Sequence, residues 1–281
     1  MTGTLPTGRS RELRELAQRV ADALPADIGE EIVLTGSVSR GVADDVSDIE
    51  MLIVTRWELT LEACFDYSRA AGLEGLDTWG VQGTPASKVS GLCGGVPFEL
   101  IWWPREYAEE AVDALLAGRP SGTGDALANG VSLRTVGLLE RWQARLREYP
   151  DELAAACVEE AALTWGGFTP AGLLTLARPT ERVSMLERML DDASRVLRIV
   201  YALNRVWPPT TKRLAARVEQ LEIKPGRLAE RIQAALTEPD PRRALLTMTE
   251  LQLETALLAP DVPNIVRARK WLAEGAALLR D

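Results

Sequence analysis

The chain has 281 residues, 46 % of them hydrophobic and 26 % charged, the composition of an ordinary globular protein long enough for two modest domains with cores of their own. It contains no histidine, which removes imidazole acid–base catalysis, histidine zinc sites and histidine triads, so any chemistry must rest on carboxylates, arginines, hydroxyls or a metal they hold. The net charge of −9 is uneven: residues 1–117 hold 9 basic and 20 acidic residues against 23 and 21 in 118–281, so the first part repels phosphate backbones and suits metal ions or a cationic small molecule.

In chain order, residues 9–24 read as an amphipathic helix, 31–36 as a strand and 49–55 as a second strand. A helix is expected over 58–71, weaker strands over 77–82 and 86–93, and a turn at Gly94-Gly95 leading into a strand over 96–103. A helix at 104–117 closes this part. GRPSGTGDALANG (118–130) reads as a linker, and from about 134 the text is nearly all helical. The fold class implied is α+β, with a small mixed sheet flanked by helices in domain 1–117 and an all-helical domain in 118–281. No 18-residue apolar run is present, so no membrane span is expected. The N-terminus lacks the apolar core of a signal peptide, and Cys64, Cys93 and Cys157 are odd in number without metal-like spacing; both point to reduced thiols in a cytoplasmic protein.

The stretch LTGSVSRGVADDVSDIEMLIVT (34–55) carries the chemistry. Residues two apart on a strand share a face, so Asp48 and Glu50 project together while Ile49, Met51 and Ile53 take the other side. Two adjacent carboxylates repel unless a proton or a cation intervenes. Mg²⁺ accepts such a pair together with phosphate oxygens and water. The preceding turn can supply the phosphate partner. Gly36 lets a ligand approach the backbone, Ser37 and Ser39 offer hydroxyls, Arg40 offers a charged fork, and the start of a short helix offers free N–H groups.

A Gly-Ser turn followed about ten residues later by a paired-acid strand resembles the signature of the polymerase-β-like nucleotidyltransferase superfamily. The size and domain order resemble its small-molecule branch, which includes the aminoglycoside and lincosamide nucleotidyltransferases. The resemblance covers roughly residues 34–103, and Glu50 stands where Asp is commoner. It implies a third acid on a neighbouring strand, matched by Glu99 in PFELIWW, and two Mg²⁺ ions held by Asp48, Glu50 and Glu99. It also implies ATP as nucleotide substrate, with Ser37 and Arg40 on the β,γ-phosphates and AMP passing to a hydroxyl of a small, cationic acceptor. NRVWPPTTKRL (204–214) resembles a nucleotide-proximal segment in that branch, and Lys212 within it is a candidate phosphate contact.

Other residues have plain alternatives. Asp44 and Asp45 suit turn capping, Trp102 and Trp103 suit packing, Asn204 suits a helix end, and Glu159 or Glu160 could face an acceptor. On the helix expected over 180–205, Leu186, Leu190, Ala193, Leu197, Val200 and Tyr201 form one stripe. Two further functions stay open at this point: a toxin-like or regulatory nucleotidyltransferase acting on RNA or protein, and a catalytically silent nucleotide-binding module.

Overall fold

The computed structural model describes residues 6–78, 84–118, 121–166 and 169–281. The chain divides into two compact units, Met1–Glu148 and Tyr149–Asp281.

The first unit is built on a six-stranded mixed sheet in the order β3-β4-β5-β2-β1-β6. Its strands are β1 (Glu31–Leu34), β2 (Ile49–Thr55), β3 (Glu74–Asp77), β4 (Ser87–Cys93), β5 (Val96–Pro104) and β6 (Val131–Arg134). β2 and β5 run parallel at the centre, and the other neighbours are antiparallel. β2 reads as an unbroken aliphatic run after Glu50 because both of its faces are covered. Ile49, Met51 and Ile53 join Phe98, Leu100 and Trp102 in a core closed by α1 (Gly8–Ala23) and α3 (Leu61–Ala70). Leu52 and Val54 are buried on the other face, beneath α4 (Arg105–Leu116) and α6 (Leu138–Arg147). β4 and β5 are joined by Gly94-Gly95, both at positive φ (57° and 78°), the backbone that a two-residue hairpin loop demands.

The expected helices and strands of this unit are present, with ends that coincide or shift by up to three residues except at the strand expected over 77–82. β1 stops at Leu34 because the chain turns at Gly36 into the four-residue helix α2 (Gly36–Ser39). The strand expected over 77–82 appears as β3, three residues earlier; 79–82 lie outside the described residues. The stretch read as a linker instead contains α5 (Gly122–Ala128) and leads into β6. The first unit therefore continues past 117 to Glu148. Two side chains explain why. Arg134 donates to the carbonyls of Ala21, Leu24 and Pro25 (2.7, 2.8 and 3.0 Å) at the end of α1. The fully buried Glu31 accepts from Ser132 Oγ, Thr135 Oγ1 and the N–H groups of Val136 and Leu138.

The second unit is all helical. Its long helix α9 (Arg182–Leu203) packs on α7 (Asp151–Ala162) and α12 (Pro241–Leu258). The expected stripe is offset by about one residue on its N-terminal half. Met185 and Met189 are buried, whereas Leu190 is 55 % exposed. Helices on two sides bury a seam shifted toward the methionines, and it also takes in Asp192. No helix of the described chain is long and apolar enough to cross a membrane.

Candidate functional site

The two central parallel strands bring Glu50 and Glu99 opposite one another in register, with Ile49 paired to Phe98 and Met51 to Leu100. Alternation sends those apolar neighbours into the core and leaves both carboxylates half-buried on the other face. Asp48 immediately precedes β2 and is also half-buried. It enters no side-chain hydrogen bond or ion pair among the described residues.

The turn after β1 is held against this strand. Thr35 N donates to Glu50 O at 2.9 Å, and Thr35 Oγ1 reaches the same carbonyl at 3.3 Å. Gly36 follows at φ +69°, and a Cβ placed there would lie 2.5 Å from Glu50 Oε2. Only glycine allows both the backbone conformation and this approach of carboxylate to chain. The rest of the turn is braced from within. Ser39 Oγ donates to Gly36 O at 3.0 Å, and Arg40 donates to the same oxygen and pairs with Asp125. Asp125 in turn accepts from Asn129 Nδ2 at 3.0 Å.

The expected phosphate contacts therefore divide. Ser37 is half-buried, and its hydroxyl has no partner among the described residues. The hydroxyl of Ser39 and the fork of Arg40, in contrast, are engaged in shaping the loop. Lys212 is exposed in the second unit, where its carbonyl accepts from Arg217 Nε at 3.1 Å.

The three carboxylates also divide. Glu99 forms an ion pair with Lys88, which projects from β4 on the same face, diagonally across from it. Among the described residues no set of three or more carboxylate or thiol side chains is arranged to hold a metal ion. Of the three acids expected to share a metal, Glu99 is the one seen paired with a cationic side chain.

The remaining candidates have structural employment. Asp44 accepts from Ser47 Oγ at 2.7 Å in its turn. Trp102 lies in the core, and Trp103 stacks edge-on against Tyr107 with centroids 5.3 Å apart. Asn204 is saturated, donating to Val200 O and Ile223 O (2.8 and 2.7 Å) and accepting from the N–H groups of Glu222 and Ile223. Glu159 accepts from Asn264 N at 3.0 Å at the start of α13 (Pro263–Arg280), and Glu160 pairs with Arg198 at 3.2 Å. Cys64, Cys93 and Cys157 are all free; burial raises the Cys64 thiol to about 11, as suits a packing residue.

Sequence reasoning missed Lys88 and Asp125. Lys88 carries a signal: it is the single lysine among the first 148 residues, which hold thirteen arginines. Asp125 carries none, because a short acidic side chain in a Gly-rich stretch looks like any solvated loop.

No family model matches the chain, and no curated protein matches it in sequence. Among solved structures it is similar to a nucleotidyltransferase-like protein from Exiguobacterium sibiricum 255-15, at 14 % identity over 97 % of this chain and 75 % of that one. The TM-score is 0.28, a likeness that carries no argument, so the functional reading rests on the chain's own residues.

Proposed function

We propose that the first unit is the catalytic half of a nucleotidyltransferase that moves a nucleoside monophosphate, AMP from ATP in the first instance, onto a hydroxyl of a small acceptor. The observation that carries this reading is the packing of the Gly36 turn against Glu50, while the neighbouring Ser37 hydroxyl and the Asp48 carboxylate have no side-chain partner among the described residues. A turn that exposes a hydroxyl next to a two-carboxylate strand end is suited to a triphosphate and its cation, and to little else in a chain without histidine.

Mg²⁺ suits the donor chemistry here, since the carboxylates of Asp48 and Glu50, two residues apart, are hard oxygen donors. When bound there, the ion would neutralise charge on the triphosphate and ease the departure of pyrophosphate. The chain's own residues do the rest. Ser37 donates to phosphate oxygen, Gly36 allows the close approach, and Ser39, Arg40 and Asp125 keep the turn in shape. A bond forms between the acceptor oxygen and the α-phosphorus as the α–β anhydride bond breaks; pyrophosphate leaves, and the hydroxyl proton passes through Glu99 to solvent. The acidic balance of residues 1–117 favours a cationic acceptor, such as an aminoglycoside-like antibiotic.

The test is a screen of α-³²P-labelled ATP, CTP and GTP against aminoglycosides, lincosamides, bulk tRNA and the protein itself. Label on a small cationic compound, with pyrophosphate released, is the expected result. Label confined to RNA or protein would replace the small-molecule reading. Nucleotide binding without transfer to any acceptor would leave a silent binding module.

A further inference from the structure

We propose that the first unit carries, between α1 and α2, a binding site for one inorganic phosphate-class oxyanion, held by Arg11 and Arg14 and filled without a metal. The inference goes beyond the nucleotidyl-transfer reading and does not depend on it. The site is a cleft of about 90 Å³ whose lining includes Pro6, Arg11, Arg14, Ser39, Arg40 and Gly41. Pockets for drug-sized ligands start at roughly 300 Å³, so this one suits a single tetrahedral oxyanion and excludes a nucleoside. Its walls are fixed by the chain itself. Thr7 N donates to Gly41 O at 3.1 Å, Thr7 Oγ1 to Ala43 O at 2.9 Å, and Ala43 N to Ser10 Oγ at 2.9 Å, which ties the start of α1 to the loop after α2. Gly41 stands at φ +75°, and a Cβ there would lie 3.2 Å from Pro6, so glycine lets the two segments close on each other.

The charge of the lining points to the ligand. Residues 1–117 hold 9 basic residues against 20 acidic ones, yet Arg11, Arg14 and Arg40 all line this cleft. Arg40 is engaged with Gly36 O and Asp125, so its charge is already offset. Arg11 and Arg14, three apart on α1, are neighbours on its surface. Neither guanidinium enters a hydrogen bond or ion pair among the described residues, although Glu15 lies one turn from Arg11. Arg14 Nε is also buried without an acceptor, which is unfavourable for an N–H donor. Two adjacent cations repel, and an oxyanion between them removes that repulsion while supplying the missing acceptor. The planar forks of arginine match the oxygens of phosphate in a way that a point charge does not. Because Ser39 and Arg40 share the cleft, a bound ion links α1 to the turn that carries Ser37.

The test is calorimetry of sodium phosphate titrated into the full chain in EDTA, with sodium chloride at matched ionic strength as the blank, and melts of the same samples. Wild type is expected to bind one phosphate per chain and to melt higher in its presence. Arg14→Gln and Arg11→Gln should each weaken binding at least tenfold and lose the rise in melting temperature. Arg14→Lys, which keeps the charge but not the fork, should fall between them and wild type. Ser37→Ala should bind phosphate as wild type does. Arg11 is exposed, so its variant keeps the test decisive should Arg14→Gln fail to fold. No heat above the blank, or wild-type affinity in a folded Arg11→Gln or Arg14→Gln, would overturn the proposal. A tenfold loss in Ser37→Ala would overturn it too, by placing the ion at the Ser37 hydroxyl instead.

Discussion

Replacing Gly36 by alanine tests the contact on which the site depends. Two costs combine in this variant. At φ +69° an alanine pays the left-handed penalty of roughly 1–2 kcal/mol. Its Cβ would also lie 2.5 Å from Glu50 Oε2, so the carboxylate must rotate away at about 0.5–1.5 kcal/mol for an off-rotamer side chain. Together these are about 1.5–3.5 kcal/mol, or about 3–14 °C in the melting temperature of a unit of this size. Gly94→Ala provides the control, since it has a similar φ of +57° with no atom within 4 Å of the added Cβ. It should show the backbone penalty alone and bind Mn²⁺ as wild type does. Gly36→Ala should melt lower still and lose at least tenfold in Mn²⁺ affinity, because the displaced carboxylate is a proposed ligand. Thermal melts in EDTA and Mn²⁺ titrations of both variants decide the matter. Equal melting losses together with equal Mn²⁺ affinity would refute the reasoning.

Asp48→Asn removes a carboxylate that has no protein partner among the described residues and stands near Glu50. It should melt at or above the wild-type temperature in EDTA yet gain far less from Mg²⁺·ATP; a loss of 1 kcal/mol or more without metal would instead mark Asp48 as a structural cap. Asp125→Asn removes the anion seen paired with Arg40 at a position where the two side chains are 19 % and 10 % exposed, so it should cost about 3 kcal/mol in a melt, and a melt within a degree of wild type would show the brace to be idle. In the second unit, burial pushes the Asp192 carboxyl up from 3.8 to about 6 against the pull of Arg188. A raised folded value means that the stabilising protonated form is fully present below about pH 4 and its contribution is lost as pH rises through about 6, on the order of 2–3 kcal/mol. Melts between pH 4 and 8 should fall more steeply for wild type than for Asp192→Asn, and parallel curves would contradict this.

Elements with strong local signals were legible in the sequence. The span 49–55 matches β2 residue for residue, because an aliphatic run after a paired acid fits only a central strand. The Gly94-Gly95 hairpin was equally plain, since two glycines between alternating strands specify one turn. β6 was not legible: VSLR is four residues long, and its pairing to β1 is decided by Arg134 and Glu31 reaching more than a hundred residues across the chain. The same limit applies at the site. The local pair Asp48 and Glu50 could be read from its spacing, as could the glycine beside it. The employment of Glu99 by Lys88 and of Arg40 by Asp125 depends on strand order and on α5, which no spacing within 34–55 encodes. The offset on α9 has a similar origin, because the buried seam is set by the helices on either side rather than by the helix's own period.

The most direct test of the central claim is a calorimetric titration of ATP into wild type, Asp48→Asn and Glu50→Gln, each with Mg²⁺ and with EDTA. If the two carboxylates hold the cation of a bound triphosphate, wild type binds ATP only with Mg²⁺, and both variants lose that binding while remaining folded. Equal ATP affinity in Mg²⁺ and EDTA, or wild-type binding by both variants, would contradict it.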